Sequence, residues 1–376
     1  MSKQLDILAL EPFHGGIRRA MLEAISRCSR HRWTILKLPA RRIERRLMVS
    51  AQWFAEQIAR NGVGKVDLVF SSEALNLAEF MRLRPELSRK PSVVYFHDNQ
   101  LPELDREEDY ECETDLVNLN SAMAAGEIWF NSIYNLRSFL SRASAMVARH
   151  PELQNPNPMP RLTSKAHLVP PPIDLGWLNN SDLGGAPAGR DARSIVVDTR
   201  GADHAMLRRV FEALGNSGEP LNLTLIGRVG GLPDSLCPIT LNEWDDARHV
   251  AALRTSGVFV SARQNAAADE LAVRALAAGC LPIVPNAGVY PELLAEALHD
   301  RCVHNGTAES IVARVLDAWY LESPSGWDFH RDETLAPFDA IRACRVIDER
   351  LDRLAGEANV VETRVAKRGR IAVAAR

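Results

Sequence analysis

Short apolar runs alternate with longer segments of helical period along most of the chain. Residues 5–10, 33–38, 67–70, 93–96 and 128–130 read as strands, and residues 17–30, 47–61, 75–83 and 133–148 repeat apolar positions at helical spacing. Strand, helix and strand in succession predict a parallel sheet with helices on both faces. After Pro170, Pro171 and Pro172 the pattern lapses into a polar stretch rich in Gly, Asn and Asp that runs to Arg193 and sustains neither period. A second series follows, with strands at 195–197, 223–226, 258–260 and 281–284 and helices at 205–214, 247–255, 271–278, 291–298 and 310–320. The expectation is an α/β protein of two Rossmann-like domains facing a central cleft, residues 1–172 and 194–335, joined by a linker at 173–193. Residues 336–356 predict a charged amphipathic helix; 357–376, basic and without an apolar face, are expected to be a disordered tail.

Composition narrows the function. A chain of 376 residues, 46% hydrophobic and 25% charged, has the make-up of a globular protein and about twice the usual length of one domain. Its formal net charge of −3 argues against broad coating of nucleic acid or anionic membrane, although Arg41, Arg42, Arg45 and Arg46 form a local basic cluster. Six cysteines without CxxC spacing read as buried reduced thiols. No run of about 20 apolar residues is present and the N-terminus lacks the pattern of a signal peptide, so a cytoplasmic protein without a membrane partner is expected.

In a doubly wound sheet, ligands bind beyond the carboxyl ends of the strands. Gly15 and Gly16 follow the first predicted strand and precede a helix, so backbone amides there can approach a phosphate or sugar; a plain tight turn fits the spacing equally. Glu11 and His14 flank them. His97, Asp98, Asn99 and Gln100 follow the fourth strand, where paired hydrogen bonds can read sugar hydroxyls, or where a capped turn simply exposes a histidine. Arg200 and Arg228 each follow a strand of the second series and suit either a diphosphate or a surface ion pair. The fingerprint GxGxxG is missing, as are the P-loop, HExxH, GxSxG and any metal-ligand spacing of Cys and His. Dinucleotide, ATPase and hydrolase readings lose support, and no metal is expected.

Four stretches together carry a resemblance. Glu11-Pro12-Phe13-His14-Gly15-Gly16, Leu38-Pro39-Ala40-Arg41-Arg42, Tyr95-Phe96-His97-Asp98-Asn99-Gln100-Leu101 and Phe130-Asn131-Ser132-Ile133-Tyr134-Asn135 stand in that order, each at a strand-to-helix junction. They resemble the N-terminal domain of the tRNA-queuosine alpha-mannosyltransferases of glycosyltransferase family 4, and weaker similarity runs on to about residue 298. The resemblance implies a GT-B fold and a retaining, metal-free transfer of mannose from the nucleotide sugar GDP-mannose to queuosine in the anticodon loop of tRNA(Asp). It further implies that Gly15, Gly16, Arg200, Arg228 and Glu270 bind the donor, and that His97 contacts the transferred sugar. Glu11, His14, Asp98, Asn99 and Gln100 then fall on the acceptor side.

The second series departs from the family. Where members carry two glutamates eight residues apart, this chain has Ala266 and Arg274, with Glu270 available as a substitute after a shift of register. Alanine accepts no hydrogen bond from a hydroxyl, and arginine reverses the charge beside a ribose. In the first motif Ile17 and Arg18 stand where Ser and His usually follow the two glycines. The alternative to an active transferase is therefore a catalytically silent relative that binds tRNA or a sugar-like ligand.

Overall fold

A computed structural model describes residues 3–102, 114–154, 156–176, 190–242, 246–320 and 327–374. Most of the expected linker, 177–189, lies outside the described residues. The chain divides into two compact units, one formed by residues 1–172 with 340–376 and the other by 173–339.

The first unit runs β1 (Asp6–His14), α1 (Gly16–Cys28), β2 (Arg32–Pro39), α2 (Ile43–Asn61), β3 (Leu68–Ser72), α3 (Leu77–Leu83), β4 (Ser92–Phe96), α4 (Asp115–Ala124), β5 (Glu127–Phe130), α5 (Ile133–Arg149), α6 (Met159–Ser164) and β6 (Ala166–Leu168). Its six strands pair in the order β2-β1-β3-β4-β5-β6, all parallel. The two-residue alternation of a strand splits their side chains between two cores. Leu8, Leu10, Val94, Phe96 and Phe130 pack with helices α2 to α5, whereas Ile7, Ala9, Val93, Tyr95 and Trp129 face the other way. Burial on both faces is why the central strands β1, β3, β4 and β5 read as nearly continuous apolar runs.

The second unit runs β7 (Asp191–Asp198), α7 (His204–Gly215), β8 (Asn222–Ile226), β9 (Ile239–Leu241), α8 (Asp246–Thr255), β10 (Ser256–Ser261), α9 (Glu270–Ala278), β11 (Leu281–Pro285), α10 (Tyr290–Leu293), α11 (His299–Cys302), β12 (Val303–His304), α12 (Ala308–Trp319) and α13 (Trp327–Leu335). Its parallel order is β12-β11-β10-β7-β8-β9. Strand order reverses between β1 and β3 in the first sheet and between β7 and β10 in the second, and a doubly wound sheet opens its ligand crevice at such a point.

The last helix, α14 (Ala340–Ala374), belongs to the first unit. Cys344, Ile347, Leu351, Leu354 and Ala355 recur at helical spacing and cover Ile7, Ala9, Trp129 and the inner face of α1. The buried Asp348 fixes the register: its carboxylate accepts from Ser29 Oγ at 2.6 Å and from the Arg30 backbone amide at 2.9 Å. The sequence predicted a basic tail without an apolar face after residue 356; the helix runs on to Ala374. Gly356 and Gly369 are weak helix formers, but no proline follows residue 356, and residues such as Ala, Glu, Arg and Lys can carry the helix past them.

Candidate functional site

In the first unit the sequence places polar side chains at the switch point. β1 runs two residues past Pro12, with a register break against β2 between Glu11 and His14. Gly15 then caps α1 and Gly16 takes a φ of 51°, a left-handed conformation that suits glycine, with nothing within 4 Å of where a Cβ would stand. His14 is half-buried, and burial followed by the nearby Lys37 lowers its pKa.

Behind the glycines lies a buried charged cluster. Arg18 of α1 forms an ion pair with Glu73, which follows β3, and its guanidinium stands 5.4 Å from the centre of the Phe13 ring. The second Glu73 oxygen accepts the His97 backbone amide at 3.2 Å. Glu11 Oε1 accepts from the Phe13 amide at 2.7 Å and from Ser72 Oγ at 3.0 Å. Burial pushes the Glu11 carboxyl up to about 7 and raises Glu73 as well, with Arg18 opposing both shifts. Burial, then the Arg18 charge, holds His97 well below its usual value, so its ring is neutral at pH 7. Arg18 Nε, His97 Nδ1 and Asn99 Oδ1 are buried with no hydrogen-bond partner among the described residues. Unsatisfied buried polar atoms are costly, and three in one place leave donor and acceptor capacity for a polyhydroxylated ligand.

The loop after β4 is held by the fourth motif rather than by chance. Asn131 Nδ2 donates to the His97 carbonyl at 2.7 Å, and Asn135 Nδ2 donates to the Phe96 carbonyl and to Asn131 Oδ1, each at 3.0 Å. Asn99 Nδ2 donates to Asn135 Oδ1 at 3.2 Å, and the Gln100 amide donates to Asn118 Oδ1 at 2.7 Å. Asp98 is exposed between them, and its own Oδ1 accepts the Asn99 amide. The loop therefore brings Glu11, His97 and Asn99 into the same region, with Asp98 on its exposed side.

In the second unit, Asp198 at the end of β7 is fully buried and takes three bonds from Arg200: the backbone amide at 3.1 Å, Nε at 2.8 Å and Nη2 at 2.9 Å. Arg228 follows β8 and is exposed. Glu270 opens α9 and forms an ion pair with Arg274 one turn on. Asp269 caps the same helix through the Ala272 amide at 3.0 Å and accepts the Tyr290 hydroxyl at 2.7 Å, which lies 2.7 Å from Ser261 Oγ. Ala266 is buried under the loop that follows β11. Gly288 there has φ 60°, and an added Cβ would stand 2.8 Å from the Ala266 carbonyl. Among the described residues no group of three His, Cys, Asp or Glu side chains is placed to hold a metal, and no helix is long and apolar enough to cross a membrane.

Residues 6–173 match the family described as tRNA-queuosine alpha-mannosyltransferase N-terminal. The N-terminal half is similar to the tRNA-queuosine alpha-mannosyltransferases. The Drosophila melanogaster protein of that name is 32% identical over 171 residues, which span 45% of this chain and 45% of that relative. Solved structures match along nearly the whole chain. The catalytic domain of starch synthase IV from Arabidopsis thaliana, bound to ADP and acarbose, aligns over 95% of this chain and 99% of its own with a TM-score of 0.66 and 10% identity. A glycosyltransferase from Rickettsia africae aligns over 94% and 99% with a TM-score of 0.62 and 12% identity. The fold is GT-B.

Sequence reasoning singled out Glu11, His97 and Asn99 but missed Glu73 and the pairing role of Arg18. The signal was present: a carboxylate directly after β3, at the strand next to the order reversal. The comparisons reach the first unit by sequence and the second by fold alone, which leaves the donor-side departures as they stood.

Proposed function

We propose that this protein is a glycosyltransferase acting on queuosine in tRNA, and that it transfers mannose from GDP-mannose with retention of configuration and without a metal. The observation that carries this reading is the buried set at the first switch point, where Glu11, Arg18, Glu73 and His97 meet beside Gly16 and three of their neighbourhood's polar atoms lack partners. A neutral His97 can exchange hydrogen bonds with a sugar hydroxyl, and the open backbone at Gly16 admits a phosphate or sugar at the positive end of α1. In this reading the departing diphosphate takes the acceptor proton, so the protein acts by holding the two substrates and stabilising the leaving group. A tRNA acceptor puts the activity in the cytoplasm. The test is transfer of labelled mannose from GDP-mannose to total tRNA isolated with and without queuosine. Label confined to queuosine-containing tRNA supports the reading, and absence of label in both refutes it.

A second reading is favoured by the donor side. With Ala266 in place of a hydrogen-bonding side chain and Glu270 already engaged by Arg274, the second unit offers a ribose few acceptors. A silent relative that binds tRNA without transferring sugar accommodates this. A ligand at about a hundred times its Kd stabilises by about 2.7 kcal/mol. A melting shift with GDP or GDP-mannose therefore favours the transferase reading, and a flat response to GDP, UDP and ADP alike favours the silent one.

A further inference from the structure

The outward face of α2 carries more apolar surface than a solvated helix needs. The helix buries Leu47, Ser50, Ala51, Phe54, Ala55 and Ile58. On the opposite side Met48, Val49 and Trp53 are 50%, 54% and 38% exposed. Together with Arg45 and Gln52 they occupy positions i, i+3, i+4, i+7 and i+8, a single stripe along the helix. An apolar stripe bordered by charge marks an interaction surface.

The border is basic. Arg41, Arg42 and Arg45 are exposed at the start of α2 and have no carboxylate partner among the described residues. They crowd the positive end of a helix, where cations are unfavourable. Arg42 caps that helix with no side-chain hydrogen bond and at a φ of 49°, a left-handed conformation that non-glycine residues rarely adopt. In a chain of formal charge −3 this concentration of positive charge is local, and it stands beside the candidate site, because the strand before it ends at Pro39, the register partner of His14.

We propose that this surface, Arg41, Arg42, Arg45, Met48, Val49 and Trp53, docks the RNA backbone and an unstacked base flanking the nucleotide that enters the site. The arginines pair with phosphates, and Trp53 with its aliphatic neighbours supplies a stacking platform for a base. This rests on the reading of the protein as an RNA-modifying transferase.

The test compares the full chain with R41E/R45E and with W53A, measuring affinity for queuosine-containing tRNA across a salt series by fluorescence anisotropy and sugar transfer to the same tRNA. R41E/R45E is expected to bind at least about tenfold more weakly, with a salt slope shallower by about one per arginine. W53A is expected to weaken binding about tenfold with the slope unchanged. Arg41 and Arg45 are exposed, so R41E/R45E keeps the wild-type melting temperature; W53A loses its edge contact with Phe54 and is measured well below its own Tm, so that lost affinity is not lost fold. Equal RNA affinity in all three proteins overturns the docking surface while leaving the transferase reading intact, provided the wild type transfers sugar. Wild-type RNA affinity in the variants together with loss of a self-association seen in sedimentation assigns the face to a protein partner and also overturns the proposal. Failure of the wild type itself to bind or modify tRNA refutes the reading on which it rests.

Discussion

Glu11 is a buried carboxyl whose replacement should change how the stability of the first unit depends on pH. Its pKa rises from 4.5 to about 7, chiefly through burial. A carboxyl that holds its proton more tightly when folded favours the folded state at low pH, and this advantage disappears as pH rises from its unfolded value through its folded one. At about 1.4 kcal/mol per pH unit, the gap corresponds to about 3 kcal/mol lost between about pH 4.5 and pH 7. His97 works against it: its folded pKa is lowered, so its contribution grows as pH rises toward its unfolded value of 6.5. The two overlap, and only a difference between proteins isolates Glu11. E11Q keeps an oxygen that can accept from the Phe13 amide and Ser72 Oγ but cannot ionise. Hydrogen exchange in a urea series, read on peptides from β1 to β5, reports the first unit alone. The stability of E11Q relative to wild type should climb by about 3 kcal/mol from pH 4.5 to pH 7.5 and level off above it. A difference that stays constant across that range refutes the account of a buried, proton-holding Glu11.

Other perturbations probe separate parts of the structure. N135A removes the bonds to Phe96, Asn131 and Asn99 from a fully buried side chain, and should cost about 2 to 3 kcal/mol in urea unfolding while increasing amide exchange in the loop at 97–100. D348A leaves Ser29 Oγ and the Arg30 amide without their carboxylate, and is expected to raise exchange in α14 and lower stability by about 2 kcal/mol. R274Q releases Glu270 from its ion pair, so GDP affinity by calorimetry should rise; a fall would mean that Arg274 itself holds the nucleotide.

Much of the fold was legible because burial on both faces writes each central strand as an apolar run, and the loops after β1, β4, β7 and β8 followed from that. β9 was not legible: it is three residues long, follows Pro238 and carries two exposed positions, so no period can form. The docking of α14 onto α1 was hidden for another reason. Its apolar face at 344, 347, 351 and 354 showed that it must pack, but the partner lies more than 300 residues away, as in the Asp348 contact with Ser29. The site was half-read. His97 and Glu11 announce themselves as polar residues at strand ends, whereas Asn131 and Asn135 act by holding the His97 loop, a role that only the hydrogen bonds display. Arg18 read as a departure from a family pattern, and its meaning came from Glu73, 55 residues on.

We propose that the buried cluster at the first switch point holds the reacting groups. H97A tests it most directly, with sugar transfer from GDP-mannose to queuosine-containing tRNA followed by mass spectrometry of the nucleosides. The rate should fall by about 100-fold or more, the size of effect seen when one preorganised hydrogen-bonding group is removed from a reaction site, with tRNA affinity unchanged. A variant that transfers sugar at the wild-type rate contradicts it.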